Sequence, residues 1–340
     1  MAAKLHLLFD RFTLSLVAVV AAASFFPAHG QGAVVFEWIT TFAIALLFFL
    51  HGAKLSRQAI IAGAMHWRLH ALIFVWTFVV FPLLGWAAYP VLVPLVGEPL
   101  AVGVVYLCVL PGTVQSAIAF TSIARGNVPA AVCAASASSL IGILITPVLL
   151  RLILGTDTSA LSNSALITAI EKISLQILLP FVVGHLARPL IGRWMDAHRK
   201  LVLTVDRSSI LLVVYTAFSE SVVGGLWKKV DAVSLGWLVA VCCVLLAVVL
   251  VGNMWSTRRL GFGRADEITI VFCGSKKSLA TGVPMAGVLF GASAVGPVLL
   301  PLMIFHQIQL MVCAMLAQRY PRAEEGDDIA QAKRPATQAR

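Results

Sequence analysis

Apolar stretches of about 20 residues recur along almost the whole sequence, and each is long enough to cross a bilayer as a helix. Of the 340 residues, 60% are hydrophobic and 12% are charged, whereas soluble domains average about 25% charged residues. This pattern predicts an all-α integral membrane protein. We predict ten transmembrane helices, at residues 12–27, 34–50, 69–89, 100–123, 129–154, 165–187, 209–223, 232–255, 267–291 and 293–317.

The basic residues alternate between the two sides of the predicted membrane. Of the 25 lysines and arginines, only Arg151, Lys172, Lys228 and Lys229 lie toward one side, in a loop or in the adjoining part of a span, and Lys276 and Lys277 lie near the middle of a span. Because Lys and Arg are enriched in cytoplasmic loops, the other side is predicted to be the cytoplasm, with both termini on it. The net charge of +10 therefore reflects orientation in the membrane and does not indicate nucleic-acid binding. In a bacterium, this membrane would be the cytoplasmic (inner) membrane.

The ten spans divide into two halves of five. Since five is odd, the second half crosses the membrane in the opposite sense, which is the arrangement of an inverted repeat. Asp206 is interpreted as the N-cap of a helix. The predicted boundaries are 1–187 for the first five-span repeat, 188–208 for a basic cytoplasmic linker, 209–318 for the remainder of the second repeat, which begins with the span 165–187, and 319–340 for a disordered cytoplasmic tail.

Two predicted spans are interrupted near their middle. The fourth contains Pro111-Gly112-Thr113-Val114-Gln115-Ser116, and the ninth contains Gly274-Ser275-Lys276-Lys277-Ser278. We predict helix breaks at Pro111, Gly112 and Gly274, because irregular backbone within a membrane is tolerated only beside protein or a water-filled cavity. Interruptions at corresponding places in two halves are typical of a transporter's substrate site.

The candidate residues for substrate binding or coupling are polar groups at these breaks and one histidine of the tenth span: Thr113, Gln115, Ser116, Ser275, Lys276, Lys277, Ser278 and His306. An ammonium group within a membrane is costly, about 3 kcal/mol or more. Beside a half-helix that begins near Ser278, the lysine pair would attract a carboxylate, sulfate or phosphate. Lys277, which aligns with Gln115, is the preferred candidate. Alternatively, a lysine takes the place of a coupling cation, exchanges a proton, or caps carbonyls of the break.

These motifs resemble those of a known family. Gly112-Thr113-Val114-Gln115-Ser116, Ala124-Arg125-Gly126-Asn127 and the stretch from Gly274 to Ala280 are similar to segments of the bile acid:sodium symporter superfamily. They are most similar to its divergent SBF-like branch, which includes the seventh member of the solute carrier 10 group. The resemblance implies a panel domain and a core domain, with broken helices 4 and 9 crossing in the core. It also implies transport of an organic anion by alternating access.

The resemblance further implies a sodium site at the crossing, from which this sequence departs. Ser116 matches a serine ligand of the family and is the candidate sodium ligand. The positions of the other ligands are occupied by Thr77, Ala117, Ala131, Ala135, Phe272 and Lys276. Most oxygen ligands are therefore absent. Sodium is a candidate coupling ion only, and no other cofactor is expected.

The leading hypothesis is a secondary active transporter of a small organic anion, coupled to sodium or protons, with the lipid bilayer and the anion as its partners. A membrane channel is the first alternative. A membrane-embedded regulatory protein or enzyme is the second, but the sequence contains no HExxH, GxSxG or Walker-type motif. We therefore predict that the protein is not an enzyme.

Overall fold

The computed structural model describes residues 11–55, 65–155, 163–225, 227, 230–290 and 292–332, and these residues contain no strand. Twelve helices account for most of this part of the chain. They are α1 Arg11–Phe25, α2 Gln31–Lys54, α3 Trp67–Val96, α4 Glu98–Val109, α5 Gln115–Ile123, α6 Val128–Leu154, α7 (residues 163–197), α8 Arg199–Val223, α9 Ala232–Arg259, α10 Arg264–Gly274, α11 Leu279–Leu289 and α12 Ala292–Ala332.

Seven of these helices are long and apolar enough to cross a membrane, namely α2, α3, α6, α7, α8, α9 and α12. Shorter apolar helices occur at Leu14–Phe25 and Glu98–Val109. The prediction of an all-α membrane protein is confirmed, while the ten-helix repeat stays a prediction. The predicted fourth span is divided into α4 and α5, and the predicted ninth into α10 and α11.

Two predicted segments and one predicted helix cap differ from the structure. Residues 188–208, predicted to be a linker, are helical on both sides of His198 and form the end of α7 and the start of α8. Asp206 is therefore an interior residue of α8 and not an N-cap. Residues 319–332, predicted to be disordered, continue α12, whereas 333–340 lie outside the described residues. The predicted boundaries were wrong because clusters of charged residues were interpreted as the ends of helices. Long basic side chains can extend from a helix into water without ending it.

α2 and α7 cross at very close range. A Cβ atom added at Gly52 would lie 1.9 Å from the carbonyl oxygen of Phe181, and one added at Gly184 would lie 1.9 Å from that of Phe49. Only glycine allows this approach, which is a common way for membrane helices to pack. α8 packs against both α1 and α2. We call α1, α2, α7 and α8 bundle I, and the remaining helices bundle II.

α3 and α7 each contain one π-helical turn, at Trp76–Val80 and Ser174–Leu178. A proline follows each turn, at Pro82 and Pro180. Proline has no N–H group and its ring crowds the preceding turn, so the regular helical hydrogen bonds are interrupted there. In α3 the carbonyl of Thr77 accepts a hydrogen bond from the ammonium group of Lys277, which lies between α10 and α11.

Candidate substrate site at the helix crossing

The two predicted helix breaks meet in the structure. Residues 110–114 separate α4 from α5, and residues 275–278 separate α10 from α11. The backbone N–H of Ser278 donates to the carbonyl of Pro111 over 2.9 Å. A Cβ atom at Gly112 would lie 3.2 Å from a carbonyl oxygen of α10. Glycine at this position therefore allows the two interrupted backbones to cross.

Backbone carbonyls enclose the ammonium group of Lys277, which is fully buried. Its Nζ donates to the carbonyl oxygens of Thr77 at 2.9 Å, Cys108 at 2.8 Å and Leu110 at 2.6 Å. The ring centroid of Phe81 lies 4.2 Å from Nζ. Three acceptors match the three N–H groups of an ammonium. Two of them lie at the end of α4, where carbonyls lack helical partners and partial negative charge accumulates.

Two further carbonyls near this end of α4 also accept hydrogen bonds from the protein. The Thr146 hydroxyl donates to the carbonyl of Val109 over 2.9 Å, and the carbonyl of Pro111 is paired as described above. Lys277 lines neither of the cavities described below. Its geometry fits the alternative in which a lysine caps the carbonyls of the break, rather than the preferred contact with substrate.

Lys276 points to a different set of groups. Its Nζ donates to the carbonyl of Ser116 over 2.9 Å. It lies 3.9 Å from the ring centroid of Phe120 and 5.2 Å from that of Phe272, which are cation–π distances. Ser116 and Phe120 themselves line a cavity. The positive charge of Lys276 therefore lies directly behind the cavity wall.

A cavity of about 370 Å³ lies beside the crossing, and we call it the crossing cavity. Five of the predicted site residues contribute to its wall: Thr113, Gln115, Ser116, Ser278 and His306. Ser275, Lys276 and Lys277 do not. Most of the remaining wall is apolar, with Phe48, Phe120 and Phe181 among its larger side chains. A mostly apolar cavity of this size with a few polar groups is typical of a small-molecule site.

The polar groups of this wall are held in place by hydrogen bonds within the protein. The hydroxyls of Thr113 and Ser116 lie 2.8 Å apart. The Ser278 hydroxyl accepts from the N–H of Thr281 over 3.2 Å, so Ser278 is the N-cap of α11. The predicted start of a half-helix near Ser278 is thus observed.

The orientation of His306 follows from its neighbour Gln309. The Gln309 Oε1 atom accepts from the backbone N–H of Lys277, and its Nε2 donates to the carbonyl of the same residue, both over 2.9 Å. These two bonds fix which end of the amide is the donor. The amide Nε2 lies 2.9 Å from His306 Nδ1, so Nδ1 is the acceptor. A neutral His306 therefore carries its proton on Nε2 and can donate from the cavity wall.

A second cavity of about 600 Å³ adjoins the first. Residues lining both cavities are His51, Val114, Gln115, Ala119 and Leu203. The second cavity also has three basic residues, Lys54, Arg188 and Arg199, and one acidic residue, Asp196, in its wall, so we call it the basic cavity. Gln115, the first residue of α5, therefore lies at the junction of the two cavities.

Sequence reasoning did not identify Asp206 as a site residue. Its side chain is fully buried, and Oδ2 accepts hydrogen bonds from Lys54 Nζ and, over 2.5 Å, from Gln115 Nε2. His51 Nε2 lies 4.0 Å from the same oxygen. Oδ1 has no hydrogen-bond partner among the described residues. The apolar residues at 201–203 and 205 were the available signal, because together with those at 210–214 they would have placed Asp206 inside a helix that starts before residue 209.

The groups at the crossing do not fit a sodium cage. The carbonyls that face Lys277 are occupied by its ammonium group, and the carbonyl of Ser116 accepts from Lys276. A sodium ion at the same carbonyls would be repelled by these ammonium groups. Within the described part of the chain, no group of three or more His, Cys, Asp and Glu residues could hold a metal ion.

Comparisons with known proteins cover nearly the whole chain. A family model described as the SBF-like CPA transporter family matches residues 10–322. The chain is 60% identical over 326 residues to "Uncharacterized protein PA2026" of Pseudomonas aeruginosa, covering 96% of this chain and 97% of the relative. It is 58% identical over 323 residues to "Putative symporter YfeH" of Escherichia coli K12, covering 95% and 96%. It is 29% identical over 314 residues to the rat sodium/bile acid cotransporter 7, covering 90% of each chain.

Proposed function

The chain belongs to the SBF-like CPA transporter family, and from this premise we propose that it carries a small organic anion across the membrane by alternating access, as a secondary active transporter. The family membership predicted from the motifs is confirmed, and the protein is an integral membrane protein. Two relatives are named as a symporter and as a sodium/bile acid cotransporter. Those names support coupled transport of an amphipathic anion here.

The distribution of positive charge around the crossing cavity carries this proposal. α5 begins at Gln115 and α11 begins at Leu279, and both residues line the cavity. Helix N-termini bear partial positive charge and unpaired N–H groups, and therefore favour anions. Lys276 lies behind the wall, and Arg207 is part of it. An anionic group at this point would be stabilised from several directions, while an apolar body would contact the aromatic side chains.

The arrangement of helices supports the inverted ten-helix repeat. We assign α1, α2, α3, α4 with α5, and α6 to the first half, and α7, α8, α9, α10 with α11, and α12 to the second. Each interrupted span is then the fourth of its half. Bundle I then consists of the first two helices of each half, as expected if the two halves are structural repeats. It corresponds to the panel domain of the family. Bundle II corresponds to the core domain.

The orientation proposed is that of the positive-inside rule, with both termini in the cytoplasm. Arg188 and Arg199 of the basic cavity then lie on the cytoplasmic side. The described conformation would accordingly be open toward the cytoplasm through the basic cavity.

A labelling experiment tests this orientation, using single cysteines in an otherwise cysteine-free protein. Lys229→Cys, which lies outside the described residues, is expected to react with an impermeant maleimide in intact cells. Lys200→Cys, on α8, is expected to react only after the membrane is permeabilised. The opposite pattern would reverse the assignment.

Proteoliposome uptake tests the transport proposal. Radiolabelled taurocholate and octanesulfonate are suitable probes, because both are permanently charged amphipathic anions. A carrier is expected to show saturation and counterflow, whereas a channel shows neither. Octanesulfonamide has the same alkyl chain without the charge and should not compete. Saturable counterflow of uncharged solutes but of neither anion would contradict the proposed substrate class.

We further propose that the ammonium group of Lys277 takes the place of a coupling cation at the crossing. Sodium should then be unnecessary there. A ligand at about 100 times its Kd stabilises a protein by about 2.7 kcal/mol, which shifts the melting temperature by several degrees.

We expect no such shift when sodium chloride replaces potassium chloride around the detergent-purified protein, and no dependence of uptake on a sodium gradient. Ser116→Ala serves as the matched variant, since it removes the candidate sodium ligand. A sodium-dependent rise in melting temperature that disappears in Ser116→Ala would show that a sodium ion is bound after all.

A further inference from the structure

Gln115 ties the two helix bundles together. Two side-chain hydrogen bonds from its amide nitrogen join bundle II to bundle I. Nε2 lies 2.5 Å from Asp206 Oδ2 on α8 and 3.2 Å from His51 Nε2 on α2. Gln115 itself belongs to α5 in bundle II. A motion that moves α5 away from α2 and α8 therefore breaks these bonds.

The partner of Gln115 is an ion pair that lies within bundle I. Lys54 is the last residue of α2, and its ammonium group contacts the buried Asp206 carboxylate on α8. A buried carboxylate without a counter-charge is strongly unfavourable. Because Lys54 and Asp206 belong to the same bundle, the pair can move as a unit. The bond from the neutral Gln115 amide can then break without leaving a charge unpaired.

Gln115 is accessible from the cavities, whereas Asp206 is not. The Gln115 side chain is exposed, and it is part of the wall of both cavities. Asp206 is fully buried and lines neither of them. An amide N–H bound to a carboxylate oxygen is also the contact that an anionic substrate would make at the N-terminus of α5. The protein's own carboxylate thus occupies a donor that a substrate anion could reach.

We propose that the anionic group of the substrate replaces the Asp206 carboxylate as the hydrogen-bond acceptor of the Gln115 amide. This exchange releases bundle II from bundle I. The inference rests on the proposed function and identifies the place where the anion binds. Gln115 donates either to Asp206, with the bundles tied, or to the substrate, with the bundles free to move. The ligand is an amphipathic anion whose carboxylate, sulfonate or sulfate lies at Gln115. Its apolar part lies beside Phe48, Phe120 and Phe181 in the crossing cavity.

Two variants separate this exchange from a purely structural role. The double variant Lys54→Met/Asp206→Asn removes both charges together, and thus removes the competing carboxylate without leaving an unpaired ion. We expect it to bind octanesulfonate about tenfold more tightly, because Gln115 no longer gives up a charge-assisted bond. Gln115→Leu removes the donor, and we expect about tenfold weaker binding. Binding is measured by titration of the detergent-purified, monodisperse full chain.

The matched control is Arg258→Met/Glu267→Gln. This pair is also an ion pair with a largely buried carboxylate, at 3.2 Å, but both residues belong to bundle II and neither lines a cavity. The affinity for octanesulfonate should be unchanged in this variant. Affinity that rises equally in the control and in the Lys54→Met/Asp206→Asn variant would contradict the inference, since the effect would then not depend on Asp206.

Release of the bundles is measured as a distance distribution between spin labels at Lys200→Cys in bundle I and Leu260→Cys, just after α9, in bundle II. We expect octanesulfonate to shift this distribution in the otherwise unchanged protein. Both Gln115→Leu and Lys54→Met/Asp206→Asn should show the shift without ligand. Wild-type affinity and distribution in the double variant would overturn the inference. If the unmodified protein shows saturable uptake of neither taurocholate nor octanesulfonate, the proposed function would instead be overturned.

Discussion

Replacing Lys277 with methionine is expected to abolish transport and to lower the free energy of unfolding by about 3 kcal/mol. The variant loses the donor to three carbonyls, of Thr77, Cys108 and Leu110. A buried polar group left without a partner costs about 1–3 kcal/mol, and part of this is recovered by local relaxation and by removal of a buried charge. The crossing would lose the contact that connects α3, α4 and the break before α11.

Lys276→Met is the matched comparison, since it makes the same change one residue earlier. Lys276 donates one hydrogen bond and lies over two aromatic rings, so we expect a loss of about 1 kcal/mol. Anion affinity should fall, because a positive charge behind the cavity wall is removed. Thermal unfolding of the detergent-purified variants and counterflow in proteoliposomes measure the two effects. A larger loss of stability in Lys276→Met than in Lys277→Met would contradict this assignment.

Lys54→Met is expected to destabilise the protein by about 3 kcal/mol, because it leaves the buried Asp206 carboxylate without its counter-charge. Asp206→Asn should cost less, about 1 kcal/mol, since the Lys54 side chain is 32% exposed and its ammonium group can turn to water. The double variant removes both charges and should be more stable than Lys54→Met alone. The two effects are therefore strongly non-additive.

A double-mutant cycle of melting temperatures in detergent measures this coupling. Lys200→Met is the control, because Lys200 is an exposed residue of the same helix as Asp206, and such substitutions usually change stability by no more than about 0.5 kcal/mol. Additive effects of the Lys54 and Asp206 substitutions would show that the two groups do not depend on each other.

The sequence by itself determined the fold class and the position of the two helix breaks. Apolar windows identify membrane helices because the bilayer selects helix length directly. Pro111-Gly112 and Gly274 interrupt helices through their own backbone chemistry, and Ser278 caps α11 through its own hydroxyl. The motifs around these residues also identified the family. All of these signals act over a few residues, so they can be read without knowing which helices are neighbours.

Only the tertiary structure decided what the charged groups contact. Lys276 and Lys277 are adjacent in sequence, yet one faces Ser116 and Phe120, while the other faces carbonyls of α3 and α4. Asp206 meets Gln115 across 91 residues and Lys54 across 152. Such partners are selected by the crossing of interrupted helices and by the packing of bundle I against bundle II. A buried charge is stable only beside the group that compensates it, and that group is supplied by a distant part of the chain.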